Sequence, residues 1–480
     1  MLFNSPEFVF VFLPSVIISL YFINQRKWRI YLLITASIIF YGYWDIKNLY
    51  IIIASIIFNF IIYTMMVRQR ERGKLFLIIG VVGNILYIAY FKYYMFFAKN
   101  VNVIFGDIIP YREIALPLAI SFFTFQQIAF LVDVYTGRVS NVKFRNYVFF
   151  VSFFPQLIAG PIVHFREIVS QIKKIEEGMN WEGISVGISI FTVGLFKKMV
   201  IADNIAPAVN HVFGKADARE AVTWLEAIVG TFGYSFQLYF DFSGYSDMAV
   251  GLAMLFGLRL PMNFLSPYKS RNIIEFWRRW HITLSRFLRD YLYIPLGGNR
   301  RGKVRRYVNL MITMALGGLW HGASWNFVLW GALHGLFLMI NHAWLELRRR
   351  LSIGEMPTIL AVMLTFTAVS LAWVLFRAET MQGAMNVLHA LFFPDMHHFT
   401  YSDFKTLVKM NGLRAREAIA VLVMAVLVVF FMPPAYEYYM GKGGGRRFRR
   451  RVMDILLVAS LWILVVMYAG GKNEFIYFNF

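Results

Sequence analysis

The sequence predicts an all-α, polytopic integral membrane protein of roughly 10–13 transmembrane or re-entrant helices, at about 20 apolar residues per span. Three observations carry that expectation. Of 480 residues, 59% are hydrophobic and only 16% charged, with a mean hydropathy of +0.56, where soluble domains run near 45–50% apolar and about 25% charged. Apolar runs of span length recur along nearly the whole chain. Lys and Arg, which give a formal net charge of +21, sit in short clusters between those runs. That is the pattern of cytoplasmic loops in a helical membrane protein, not the basic face of a nucleic-acid binder. The composition excludes a disordered chain, a secreted disulfide scaffold and an ordinary cytosolic enzyme. With no Cys, thiolate catalysis and cysteine-based metal or iron–sulfur sites are excluded as well.

The clear spans in order are 8–23, 29–44, 49–66, 75–97, 184–202, 222–240, 325–345, 358–376, 417–435 and 452–470. The first is expected to be an uncleaved membrane segment, because no Lys or Arg occurs in the first 25 residues to form a signal-peptide n-region. The runs 114–135, 147–163, 245–258 and 307–320 contain Pro, Gly or polar residues, so broken or re-entrant helices are expected there. Such elements survive at membrane depth only when buried in protein or facing a water-filled cavity. Arg26, Lys27 and Arg29, then Arg68, Arg70, Arg72 and Lys74, then Arg348 to Arg350, and finally Lys442 to Arg451 form the basic clusters. Placing them in the cytoplasm puts the N-terminus outside. One membrane domain is expected over 1–480, with N-terminal helices in 1–112, a catalytic core in 113–350 and C-terminal helices in 351–480.

The segment 262–306 interleaves aromatic and basic residues. Trp277, Trp280, Leu284, Phe287, Leu288 and Tyr291 fall at helical spacing on one side, which predicts an amphipathic helix over 262–292 lying in the membrane interface. A second such connector is expected at 381–393.

An ionisable group inside an apolar span is costly and so is a functional candidate. His321, in Leu319-Trp320-His321-Gly322, sits near the middle of the apolar stretch 307–345. A desolvated imidazole stays neutral near pH 7, the state a general base requires. A structural His tied to a backbone carbonyl in a helix kink fits the same residues. His334 and His342 follow in the same stretch and are read as structural. His281 lies on the interfacial helix, where a His can be solvated; its interest is that it could meet His321 across a cavity. Gln237, Asp241 and Tyr245 recur every fourth residue and share a face of a continuous helix. Asp241 and Asp247 at membrane depth need partners. They could orient a His, bind a substrate hydroxyl, pair with Arg278 or Arg286, or form a purely structural polar network.

Nucleotide-cradling glycine loops, the HExxH zinc motif and the GxSxG nucleophile elbow are all missing. His397-His398 with Asp395 does not complete a metal site, and no metal and no bound cofactor are expected.

Taken together, these residues resemble the membrane-bound O-acyltransferases, most closely the branch of bacterial alginate O-acetylation membrane proteins. The resemblance rests on Met1 to Ser5, Leu116 to Phe125, Phe154 to Val163, Tyr239 to Asp247, Glu275 to Asn299, Gly317 to Gly322 and Phe475 to Phe478. It implies a ring of tilted helices around a central funnel. It also implies acyl transfer within the membrane, with the catalytic His at His321 and a second important His at His281. In alginate-type systems the acetyl group comes from a cytoplasmic donor and passes outward. The resemblance thus implies acetyl-CoA or an acyl carrier protein thioester as donor, and an outer-face partner of the SGNH-hydrolase-like kind. The location implied is a bacterial inner membrane.

On this reading His321 deprotonates an acceptor hydroxyl, and a donor must stabilise the oxyanion. The candidates are a protonated His281, Asn326, Ser324 or a backbone N–H beside Gly322. An acetyl-His intermediate is the other route. Arg278, Arg279 and the basic residues of 300–306 could hold the donor's phosphates or an acidic carrier protein, or serve only as topology anchors. Two further readings stay open: an acyltransferase acting on peptidoglycan, cellulose or teichoic acid (there with D-alanine), and a proton-coupled transporter without covalent chemistry.

Overall fold

Helix is the only regular structure among the described residues, as expected where backbone groups must be satisfied within their own segment. The structure is a computed structural model that describes residues 1–178, 180–393, 415–440, 448–467 and 475–476. Five helical stretches are long and apolar enough to cross a membrane: Ile46–Arg68, Arg70–Phe105, Trp181–Asp217, Trp325–Leu351 and Thr358–Arg377. Four shorter apolar helices, Glu7–Phe22, Ile120–Tyr135, Ile419–Phe431 and Asp454–Met467, accompany them. The described chain forms two compact units, one built on Met1–Phe191 with Met248–Pro261, the other on Thr192–Asp247 with Met262–Ile476.

In the first unit, α1 (Ile46–Arg68), α2 (Gly73–Ile88) and α3 (Ile120–Tyr135) pack together. Polar side chains join them where hydrophobic forces cannot, since lipid tails are as apolar as Leu. Buried Asn59 and Asn84 exchange amide hydrogen bonds at 3.2 and 2.6 Å. Gln127 donates to Ser55 Oγ at 2.8 Å and accepts from the Tyr147 hydroxyl at 2.7 Å. The run 114–135 becomes helical only at Ile120, behind Pro117 and a left-handed Ala119 (φ 61°).

In the second unit, a seven-residue π-helical segment, Phe196–Ala202, leads into α4 (Asp203–Asp217). The predicted pieces 222–240 and 245–258 are one helix, α5 (Trp224–Leu255), whose residues up to Asp247 belong to this unit and the rest to the first. Gly244, which lies between those pieces, admits a neighbour: a Cβ there would stand 2.9 Å from the Gly194 carbonyl oxygen. A glycine that looks like a breaker in sequence is a close-approach point in the fold.

The segment predicted as a single interfacial helix is broken. It forms α6 (Ile273–Arg279), capped by the Asn272 side chain, and α7 (Ile282–Leu288), followed by a π turn over Arg289–Tyr293. Trp280 and His281 are the break, and Trp280, His281, Leu284 and Phe287 are buried rather than spread over a surface.

Next come α8 (Gly302–His321) and α9 (Trp325–Leu351), an antiparallel pair joined by Gly322 to Ser324. Their backbones touch. A methyl on Gly318 would collide with the Phe327 carbonyl oxygen, and one on Gly331 with that of Met314. α10 (Thr358–Arg377) packs on α9, and α11 (Met381–Phe392), the second predicted connector, packs on α4. Asp217 of α4 accepts from the Thr380 hydroxyl at 2.8 Å and fixes that junction.

Candidate active site

His321 is the last residue of α8, and α9 restarts three residues later at its Ser324 cap. The glycine contacts between the two helices hold this hairpin tight, so the imidazole is buried (3% exposed) rather than splayed outward. Aromatic rings surround it: Trp320 at 4.8 Å between centroids, Trp330 edge-on at 5.2 Å and Phe376 at 5.0 Å. Trp330 in turn stacks on Trp373 of α10 at 5.3 Å.

His281 enters the same cluster from another element. Its ring centroid lies 6.2 Å from that of Trp320, which also neighbours His321. The backbone at His281 is left-handed, φ 43°, an uncommon state for a residue with a Cβ and one that collects at functional sites. That turn is what breaks α6 from α7 and rotates the ring inward, so the expectation of a solvated interfacial His is corrected: His281 is fully buried.

The tautomer of His281 follows from its partner. Asn263 Oδ1 accepts from the Thr283 backbone N–H at 3.2 Å and the Thr283 hydroxyl at 2.9 Å. A group that accepts from a backbone N–H is the carbonyl oxygen, so the His281 Nδ1 that meets it at 3.1 Å is the protonated nitrogen. Burial pushes the imidazole down from its ordinary 6.5 to about 3, which keeps it neutral at physiological pH. In this tautomer His281 carries its lone pair on Nε2.

The other sequence candidates fall elsewhere. Ser324 and Asn326 have structural tasks: Ser324 Oγ caps α9 by accepting from the Asn326 N–H at 3.3 Å, and Asn326 Nδ2 donates to the Ala378 carbonyl at 2.9 Å. Arg279 pairs with Glu275 one turn away at 2.6 Å, and Arg278 is exposed. Gln237, Asp241 and Tyr245 do share the buried α5. The Gln237 Oε1 meets no hydrogen-bond donor among the described residues.

The carboxylates of α5 are not held by arginine. Asp241 pairs with Lys198 at 2.6 Å and Asp247 with Lys197 at 2.6 Å. Lys198 also reaches Asp203 at 2.8 Å. The Ile476 N–H donates to Asp241 Oδ2 at 3.0 Å, and the Phe475 ring lies 4.6 Å from the Lys198 ammonium. Of the options the sequence left open for these carboxylates, pairing with Arg278 or Arg286 gives way to pairing with lysine. The two lysines sit on the π segment, a distortion frequent at functional sites, which presents adjacent residues to α5 together. Sequence reasoning passed over them, although adjacent Lys residues inside the apolar run 184–202 were the available signal. It also passed over Trp330 and Trp373, which looked like ordinary span residues. The His397-His398 pair lies outside the described residues.

A family model for MBOAT, the membrane-bound O-acyltransferase family, matches residues 25–378, and the chain belongs to that family. It is 38% identical to the peptidoglycan O-acetyltransferase of Helicobacter pylori, over 100% of this chain and 98% of that one. It is 39% identical to the probable alginate O-acetylase AlgI of Azotobacter vinelandii, over 89% of this chain and 84% of that one. A teichoic acid D-alanyltransferase of Streptococcus thermophilus is 27% identical over 54% of this chain and 68% of its own. The protein is thus a multi-pass membrane enzyme that transfers acyl groups to oxygen, and the transporter reading falls.

Proposed function

We propose that this protein accepts an acetyl group from a cytoplasmic thioester and passes it across the inner membrane for O-acetylation of an exported polysaccharide of the alginate type. The supporting observation is that His281 and His321, 40 positions apart in sequence, flank one indole, Trp320. His321 takes the proton of the attacking hydroxyl as the new C–O bond forms. The tetrahedral oxyanion gathers charge beside the N-terminal end of α9, whose dipole favours it. The C–S bond then breaks and the proton on His321 goes to the departing thiolate. His281, neutral and held by Asn263, accepts a hydrogen bond at Nε2 and orients the hydroxyl. The donor is acetyl-CoA or an acyl carrier protein thioester. Arg300, Arg301, Lys303 and Arg305, all exposed, meet its phosphates or acidic face on the cytoplasmic side. The N-terminus faces outward, and an outer-face SGNH-hydrolase-like partner completes delivery.

A second reading, peptidoglycan as the acceptor, has support in the near full-length match to the H. pylori enzyme. One experiment serves both. The protein in lipid nanodiscs is given acetyl-CoA or acetyl-loaded carrier protein, and thioester loss is followed for wild type and His321→Ala. Loss in wild type that falls by about 10²–10⁴-fold in the variant fits a general base. Equal rates would remove His321 from the chemistry. Acetate released by mild base from isolated alginate-like polymer or from peptidoglycan then names the acceptor.

A further inference from the structure

His334 lies on α9, one turn beyond Trp330, and is fully buried. Neither of its ring nitrogens has a hydrogen-bond partner among the described residues. Its neighbours are rings: Trp330 at 4.9 Å, Trp277 at 5.2 Å, Phe337 at 5.7 Å, Trp373 at 6.1 Å and Phe276 at 6.2 Å. Trp277 and Trp330 touch each other at 5.9 Å, and each carries a buried indole N–H that also meets no acceptor. Three mutually touching rings therefore hold four polar atoms that meet no hydrogen-bond partner among the described residues. Buried polar atoms are normally satisfied, and each exception calls for an explanation. A phenyl ring at 334 would fill the same space without that cost.

We infer that His334, with Trp277 and Trp330, is a seat for the hydroxyls of the acyl acceptor, a sugar or other polyol. A neutral imidazole offers one N–H and one lone pair on diverging edges. A carbonyl answers only the first. Neighbouring hydroxyls answer both, one accepting and one donating, and further hydroxyl oxygens accept from the two indoles. Trp330 is also a wall of the His321 site, with His321 5.2 Å from it and His334 4.9 Å, so an acceptor seated here lies beside the proposed base. This inference rests on the acyltransfer reading for its purpose, but not for its binding test.

The experiment compares wild type, His334→Phe and His334→Gln as full-length protein in nanodiscs. Thermal unfolding is measured, together with binding of chitotriose by saturation-transfer NMR and base-labile acetate on envelope polymer in cells carrying each variant. The expectation is that His334→Phe unfolds at a higher temperature than wild type, yet binds chitotriose and acetylates roughly tenfold more weakly, the equivalent of one lost hydrogen bond. His334→Gln, which keeps a donor and an acceptor, should recover part of both. A lower unfolding temperature for His334→Phe, or acetylation and binding unchanged in it, overturns the inference, and so does a wild type that binds no chitotriose. Binding that depends on His334 in a protein that leaves no acetate would instead count against the acyltransfer reading alone.

Discussion

His281 donates its Nδ1–H to Asn263 Oδ1 at 3.1 Å, and that one bond decides which nitrogen of the imidazole carries the lone pair. Asn263 is itself held by Thr283 and donates to Ser246 Oγ of α5 at 3.4 Å. Asn263→Ala removes the acceptor and lets the ring choose either tautomer. Turnover of thioester donor should fall by about 10–100-fold, the range seen when the group that orients a working histidine is lost. Steady-state rates in nanodiscs check it, and a rate within twofold of wild type would leave Asn263 with packing alone.

The buried, neutral state of His281 has a consequence for stability against pH. Its folded value is about 3 and its ordinary value 6.5. Between those values the unfolded chain binds the additional proton, so stability rises with pH there and is lost as pH falls from about 6.5 toward 3. His281→Gln should flatten that acid loss. Thermal unfolding at a series of pH values measures it; an acid slope identical to wild type would refute the assignment.

Lys198 and Asp241 are each about 2% exposed as side chains. Removing one partner leaves a buried charge without compensation, a loss of about 3–5 kcal/mol, whereas replacing both by apolar groups is often neutral or better. Lys198→Ala should therefore fold poorly, and Lys198→Met with Asp241→Leu should recover only part of the loss, because Asp203, which Lys198 also holds at 2.8 Å, still lacks its cation. Yield and unfolding temperature in detergent report the first effect. If the recovered double variant also turns over normally, the pair is structural; if it is stable and inactive, the pair serves the site.

Gly331→Ala should separate α8 from α9, because its methyl meets the Met314 carbonyl oxygen, a backbone atom that cannot step aside. Overpacking of this kind costs about 1–3 kcal/mol. The variant should also lose more activity than its stability loss explains, since the same contact seats His321. Gly354→Ala, with open space around its Cβ position, is the control and should leave both unfolding temperature and thioester turnover unchanged.

Hydropathy alone located α1, α9 and α10 closely, because a span announces itself through some twenty consecutive side chains that must all meet lipid or protein. Its failures have a common cause. Gly244 and Pro117 carry the same local message of a break, yet Gly244 sits inside α5 because Gly194 comes up against it, and only Pro117 stands at an end. The amphipathic pattern over 262–292 was real, but it describes two short helices around a left-handed His281 and not one surface helix.

By itself the sequence determined the class of the protein and most of its spans, and it singled out His321 as the candidate at the site. A mid-span histidine between glycines is a local signature, and the ordered motifs around it extend that signature over most of the chain. Tertiary structure alone decided which charges neutralise Asp241 and Asp247, which nitrogen of His281 is protonated, and that His321 shares Trp320 with His281 and Trp330 with His334. Those facts depend on partners far away in sequence: Lys198 is 43 residues from Asp241, and Asn263 is 18 from His281. In a low-dielectric interior a polar group's behaviour is set by whichever group folding brings within hydrogen-bond reach. Composition and spacing do not carry that information.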